Sequence, residues 1–222
     1  MRRSKMTAAQ TSSTLAAHVR ALRQHFDSVV LPLWLGPGFN TATGLPFESL
    51  DSASGLALPA TRYRAMACAR QLYVFSEAPG DAAGKHADTL FDSLVRVFRD
   101  DRHGGWRYSV DAETRPLDET QDLYTHAFIV LACAAYFRRS RNAGARKLML
   151  ATASTIEARF KTTDSLYHAA LSPDLGQALR PPAQNPMMHL TEAYLAAAQA
   201  ALHDGKMEPH AELDRAITDM IL

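Results

Sequence analysis

Polar and titratable side chains set inside alanine-rich apolar runs are where this chain's chemistry must lie, because an unpaired polar group in apolar surroundings is costly. Arg70 follows Ala65-Met66-Ala67-Cys68-Ala69 and precedes Gln71-Leu72. An arginine in such company calls for a carboxylate, with Glu192 or Asp122 as candidates, or for a ligand. A second group, Gln121, Asp122, Tyr124 and His126, opens another apolar run. Asp122 suits the positive end of a helix. Tyr124 and His126 are two apart and do not share a face, so one points inward while the other bonds to a neighbouring helix or sits satisfied in the core. In a third group, Asn185 and His189 are four apart, one turn apart on the same side, with Glu192 three further on. Asn185 is placed to cap the helix. His189, near the positive helix end, is held neutral. It either accepts a hydrogen bond from a hydroxyl in a cavity or rests in the core bonded to Glu192.

Other chemistries lack their residues. There is no Cys-x-x-Cys, no His/Cys group with zinc spacing, no phosphate-binding glycine loop and no Gly-x-Ser-x-Gly elbow. No metal and no cofactor are therefore expected. Cys68 and Cys133 lie in apolar helical runs and read as small core residues. The formal charge is +1, which points to neither nucleic acid nor a membrane surface as partner. Arg138, Arg139 and Arg141 read as a solvated helix end. The opening MRRSKMTAAQTSST lacks the apolar segment of a secretory signal, and residues 1–13 are expected to form a disordered tail. No apolar run approaches the roughly 18–20 residues that span a bilayer. A cytoplasmic, reducing location is expected.

The elements that must position these residues are helices, within one domain over 14–222. Apolar spacing predicts a first helix over 14–33, with Leu15, Val19, Leu22, Phe26, Val29 and Val30 as its stripe. Further helices are expected over 60–78, 82–99, 121–138 and 143–160, then from Pro186, and over 208–222. The run from Asp122 to Phe137 is apolar almost all round and so is expected to be buried all round. Long Gly- and Pro-rich connections separate the helices. Alternation of Trp106, Tyr108 and Val110 predicts a β-hairpin, with Gly104-Gly105 as its turn. The second, fourth and sixth helices are alanine-rich and continuously apolar, whereas the first, third and fifth are amphipathic. Inner helices buried on both sides and outer helices buried on one would produce that alternation, in a solenoid or toroid of helical hairpins.

Three segments, ARQLYVFSEA (69–78), DLYTHAFIVLACAAYF (122–137) and NPMMHLTEAYLAAA (185–198), together resemble the N-acylglucosamine 2-epimerase family, which includes mannose isomerases and cellobiose 2-epimerases. GFNTATGLPFESLD (38–51) is similar to the family's early loop, although Gly44 stands without the second glycine of its usual pair. HGGWRYSVD (103–111) is similar to the hairpin after its third helix. The resemblance implies an all-α (α/α)6 barrel, six inner helices surrounding a sugar site. It implies proton transfer beside the carbonyl carbon of a monosaccharide, without metal or nicotinamide, by groups of near-neutral pKa. Arg70 matches the family's active-site arginine, expected to hold the open sugar and stabilise the enediolate. Asn185 and His189 match an Asn and His that bind hydroxyls and assist proton transfer. Tyr124 and His126 match a segment lining the same cavity, with Trp106 as a neighbour.

The resemblance covers the first half of such a barrel, with short β-hairpins in its loops. The family's second half carries a His-x-x-Glu segment and a final histidine as the expected acid/base pair, and neither has a counterpart here. The expected activity is therefore that of a sugar 2-epimerase or aldose–ketose isomerase, for mannose first and N-acetylglucosamine second, or its loss through truncation. The alternative is a non-catalytic helical module binding carbohydrate or protein. An open barrel edge would also favour self-association.

Overall fold

Gly36-Pro37-Gly38 and Pro79-Gly80 end two of the helices, and Arg141, in the left-handed conformation, ends another. The computed structural model describes residues 8–204. Helix α1 (Ala8–His25) widens into a π-helical turn at Phe26–Val30 before α2 (Leu31–Leu35). The widening directly precedes Pro32, whose missing N–H leaves the carbonyl of Ser28 without its usual donor. The single helix expected over 14–33 is thus interrupted, and it begins at Ala8, inside the stretch expected to be a disordered tail. Helices α3 (Ala65–Glu77), α4 (Asp81–Phe98), α5 (Leu123–Ser140), α6 (Ala143–Thr155, continued by a π turn to Phe160) and α7 (Gln184–Asp204) follow. The helix expected over 208–222 lies outside the described residues.

Helix α5 packs against α3 on one side, α7 on another and α6 behind, while α4 packs on α3. From Leu123 to Phe137 every residue of α5 is buried except Tyr124 and Leu131, which are half-buried. Leu72 and Phe75 of α3, Leu90, Leu94 and Phe98 of α4, Ile129 and Val130 of α5, and Leu190 of α7 fill the space between layers. Burial of each such side chain contributes about 1.5–3 kcal/mol. Cys68 and Cys133 are fully buried and free, with thiols pushed up to about 12 by burial. The apolar stripe of α1 behaves differently: Leu15, Val19 and Leu22 are 64%, 55% and 70% exposed. Nothing among the described residues covers them.

Eight short strands form three antiparallel sheets. β1 (Phe39–Asn40) pairs with β2 (Leu45–Pro46), while β3 (Arg62–Arg64), β4 (Ser109–Asp111) and β5 (Pro116–Asp118) form a second sheet. The third contains β6 (Gln121–Asp122), β7 (His168–Leu171) and β8 (Ala178–Pro182). β3 runs directly into α3, β6 into α5, and β8 into α7 through Ala183. Two of the sheets therefore gather at the N-terminal ends of the three inner helices. The expected hairpin is present but displaced: β4 and β5 turn after Asp111, whereas Gly104-Gly105 lies in a loop closed by an Arg99–Trp106 bridge. Gly105 is required there, since a Cβ would lie 2.1 Å from Gln121 Oε1, the atom that accepts from Trp106 N–H. Among the described residues no helix is long and apolar enough to cross a membrane.

Arg139 is no solvated helix end. Its guanidinium donates to the carbonyls of Phe75, Ser76, Ala78 and Gly80. It thereby satisfies the C-terminal carbonyls of α3, which have no intrahelical donor, and binds the α3–α4 turn to α5. Arg138 pairs with Glu77 and donates to Gln199 Oε1, linking the C-terminal parts of all three inner helices.

Candidate functional site

Each inner helix presents one stripe of residues to a common hollow. On α3 the stripe is Met66, Arg70, Tyr73 and Val74; on α5 it is Tyr124, Phe128, Leu131 and Arg138; on α7 it is Asn185, His189, Glu192, Ala196 and Gln199. The spacings are three, four and seven, which is what places residues on one face of a helix. The hollow contains two cavities. One, of about 600 Å³, holds Arg70, Tyr73, Phe128, Arg138, His189 and Glu192. The other, of about 530 Å³, lies toward the helix N-termini and is lined by Tyr108, Asp122, Tyr124, Arg180 and Asn185 among others. Tyr124 of the second cavity meets His189 of the first edge-to-face, with ring centroids 4.9 Å apart.

His189 lies against Phe128 as well, at 4.8 Å. Its Nδ1 is 2.8 Å from Glu192 Oε2. Carboxylates only accept, so Nδ1 is the donor in this contact, and a ring carrying that single proton has Nε2 as an acceptor. His189 combines a part of each alternative: it bonds to Glu192, but half-buried at a cavity wall and not in the core. The guanidinium carbon of Arg70 sits 5.3 Å from the centroid of the Phe128 ring, and one of its nitrogens is 3.9 Å from Met66 Sδ. Arg70 is exposed to the hollow and makes no ion pair with a described residue. Neither candidate carboxylate reaches it. Glu192 is engaged by His189, and Asp122 receives Arg180 at 2.9 Å.

The two groups at the opening of α5 diverge. Asp122 caps the helix, Oδ2 accepting from Thr125 N–H and from its hydroxyl, both at 2.8 Å. Tyr124 faces the hollow. His126 points the other way, fully buried, with Nδ1 2.9 Å from the Asp122 carbonyl and its ring 5.0 Å from Phe160. Nε2 has no partner among the described residues, and burial pushes the ring's pKa down to about 4. His126 lines neither cavity, because the two-residue offset from Tyr124 turns it about half a revolution around the helix. Trp106 also lies outside both cavities. It is 2% exposed, and its indole N–H donates to Thr152 at 3.0 Å. Asn185 falls within the first turn of α7, which Gln184 opens, so it lines the second cavity from inside the helix.

Tyr73, Arg138 and Gln199 follow Arg70, Tyr124 and Glu192 at helical spacing, so extending those stripes along each helix would have found them. Arg180 and Tyr108 carried no such signal, as the first lies on β8 and the second just before β4.

The sequence profile of the N-acylglucosamine 2-epimerase (GlcNAc 2-epimerase) family matches residues 46–221. The chain belongs to this family. It is similar to a D-mannose isomerase of Thermobifida fusca, 33% identical over 168 residues that cover 69% of this chain and 38% of the relative. In structure it is similar to a cellobiose 2-epimerase from Spirochaeta thermophila, with a TM-score of 0.84 at 25% identity, covering 94% of this chain and 53% of that one. A D-mannose isomerase structure superimposes with a TM-score of 0.76 at 19% identity, covering 98% and 53%. These neighbours are (α/α)6 barrels, and the mostly helical fold described here corresponds to about half of one. The chain spans about half the length of the solved structures it matches, and less of the curated relative.

Proposed function

We propose that this chain contributes the sugar-holding face of an aldose isomerase or 2-epimerase site, with an unmodified hexose such as D-mannose as substrate. The observation that carries the reading is Arg70 lining one cavity with His189 while no described carboxylate neutralises its guanidinium. Removing the proton from the carbon beside a sugar carbonyl leaves an enediolate, whose negative oxygen needs a cation aimed at it. Arg70 supplies that cation. His189, oriented by Glu192, offers Nε2 as an acceptor for a hydroxyl or for the transferred proton, the arrangement expected of an oriented base. Tyr124 and Asn185 extend the same surface toward the helix N-termini, where further hydroxyls are bound. Return of the proton to the neighbouring carbon gives the ketose, and return to the opposite face gives the epimer. The likeness to a D-mannose isomerase favours this substrate class, while membership of the N-acylglucosamine 2-epimerase family supports the type of reaction and is equally compatible with N-acetylglucosamine.

The test is proton NMR of the purified chain with D-mannose in deuterium oxide, and separately with N-acetylglucosamine. Exchange at carbon 2 that disappears in both Arg70→Ala and His189→Ala is expected. Exchange unaffected by either substitution would refute the assignment. Saturable sugar binding without exchange would leave a helical carbohydrate-binding module.

A further inference from the structure

The cavity nearest the helix N-termini contains a pair that the reading above does not use. Arg180, on β8, donates from Nη2 to Asp122 Oδ1 at 2.9 Å. The Arg180 side chain is 56% exposed and that of Asp122 only 8%. The other guanidinium N–H groups have no partner among the described residues. The carboxylate is held rigidly, because its second oxygen accepts twice from Thr125. Tyr108, Tyr124 and Asn185 line the same cavity.

We propose that Arg180 is a substrate-recognition residue, and that with Asp122 it selects an uncharged hydroxyl of the sugar over a phosphate ester. The inference rests on the reading of this hollow as a sugar site. A hydroxyl both donates and accepts. Arg180 offers only donors and Asp122 only acceptors, so the pair side by side satisfies both halves of a hydroxyl. A phosphate oxygen offers acceptors alone. It would gain from the guanidinium but would bring about −1.5 to −2 charges toward a nearly buried carboxylate, and like charges so juxtaposed oppose binding. An arginine that would otherwise favour phosphate is thereby retuned by its anchor.

Titration calorimetry on the full chain, with D-mannose and with D-mannose 6-phosphate, tests this. Wild type is expected to bind the free sugar more tightly. Arg180→Ala is expected to weaken mannose binding about tenfold or more, the scale of a charge-assisted hydrogen bond, in a chain whose far-ultraviolet circular dichroism stays that of the folded protein. Where turnover is measurable, KM rises with kcat unchanged, since the contact is kept from ground state to transition state. Asp122→Asn retains a capping side chain but loses the charge, and is expected to shift preference toward the phosphate by about tenfold or more. Wild-type preference for the phosphate, mannose affinity unchanged in Arg180→Ala, or no shift in Asp122→Asn would overturn the proposal. Arg180-dependent binding without exchange at carbon 2 would sustain it and overturn the catalytic reading alone. A wild-type chain that neither binds nor exchanges overturns both.

Discussion

Replacing His126 with leucine should flatten the acid sensitivity of this protein. The ring is fully buried with one nitrogen unpartnered, and its pKa is pushed from 6.5 to about 4 by loss of hydration. In the unfolded chain the same group titrates near its ordinary value. Between pH 6.5 and 4 the unfolded state therefore binds a proton that the folded state refuses. The stability associated with His126 is complete above pH 6.5 and is lost as the pH falls toward 4. The slope is about 1.4 kcal/mol per pH unit, which over that interval amounts to roughly 3 kcal/mol, a sizeable part of the ~5–15 kcal/mol that holds a domain folded. Urea unfolding followed by far-ultraviolet circular dichroism, at several pH values from 7 to 4.5, measures it. The leucine variant should lose about 1 kcal/mol at pH 7 with the hydrogen bond to the Asp122 carbonyl. Its stability should then fall with pH less steeply than wild type by about 1.4 kcal/mol per unit. Parallel slopes for the two proteins, or a His126 ring resonance titrating near 6.5, would refute the reasoning. His86 packs edge-on against Phe39 and Phe75 and is likewise pushed down to about 4 by burial, so the variant should keep a residual acid slope.

Three further outcomes are expected. Arg139→Met removes the guanidinium donors from four carbonyls at the α3–α4 turn and should cost about 1–3 kcal/mol in urea unfolding, because the partly buried carbonyls of Phe75, Ser76 and Ala78 lose their donor. Gly105→Ala drives a methyl group onto Gln121 Oε1; a loss of about 1–3 kcal/mol is expected, and an unchanged denaturation midpoint would contradict the packing described. The exposed stripe of Leu15, Val19 and Leu22 on α1 should drive pairing of chains, so light scattering should show concentration-dependent dimers that Leu15→Glu with Leu22→Glu abolishes; a monodisperse monomer at all concentrations would count against it.

Helix identity was legible in the sequence because apolar residues recur at three and four, and that spacing alone specifies which face is buried. The three inner helices follow from it, the hairpin signal came from the alternation of Trp106, Tyr108 and Val110, and a shared site for Arg70 and His189 was implied by the family resemblance. Local chemistry misjudged positions where distant contacts decide. Arg139 looks like a solvated helix end until α3 and its following turn bring carbonyls within reach. His126 and Tyr124 are equally polar and adjacent in the same motif, yet a half-turn sends one into the core and the other to the cavity. Which carboxylate meets Arg70 was equally open from sequence. Glu192 and Asp122 both had the charge, but the first is claimed by His189 within its own helix and the second by Arg180 from a hairpin 58 residues away. Periodicity is a property of one segment, so the sequence by itself determined the stripes. Pairing across segments depends on where the backbone brings each end, and only the tertiary structure decided that Arg70 faces the hollow uncompensated.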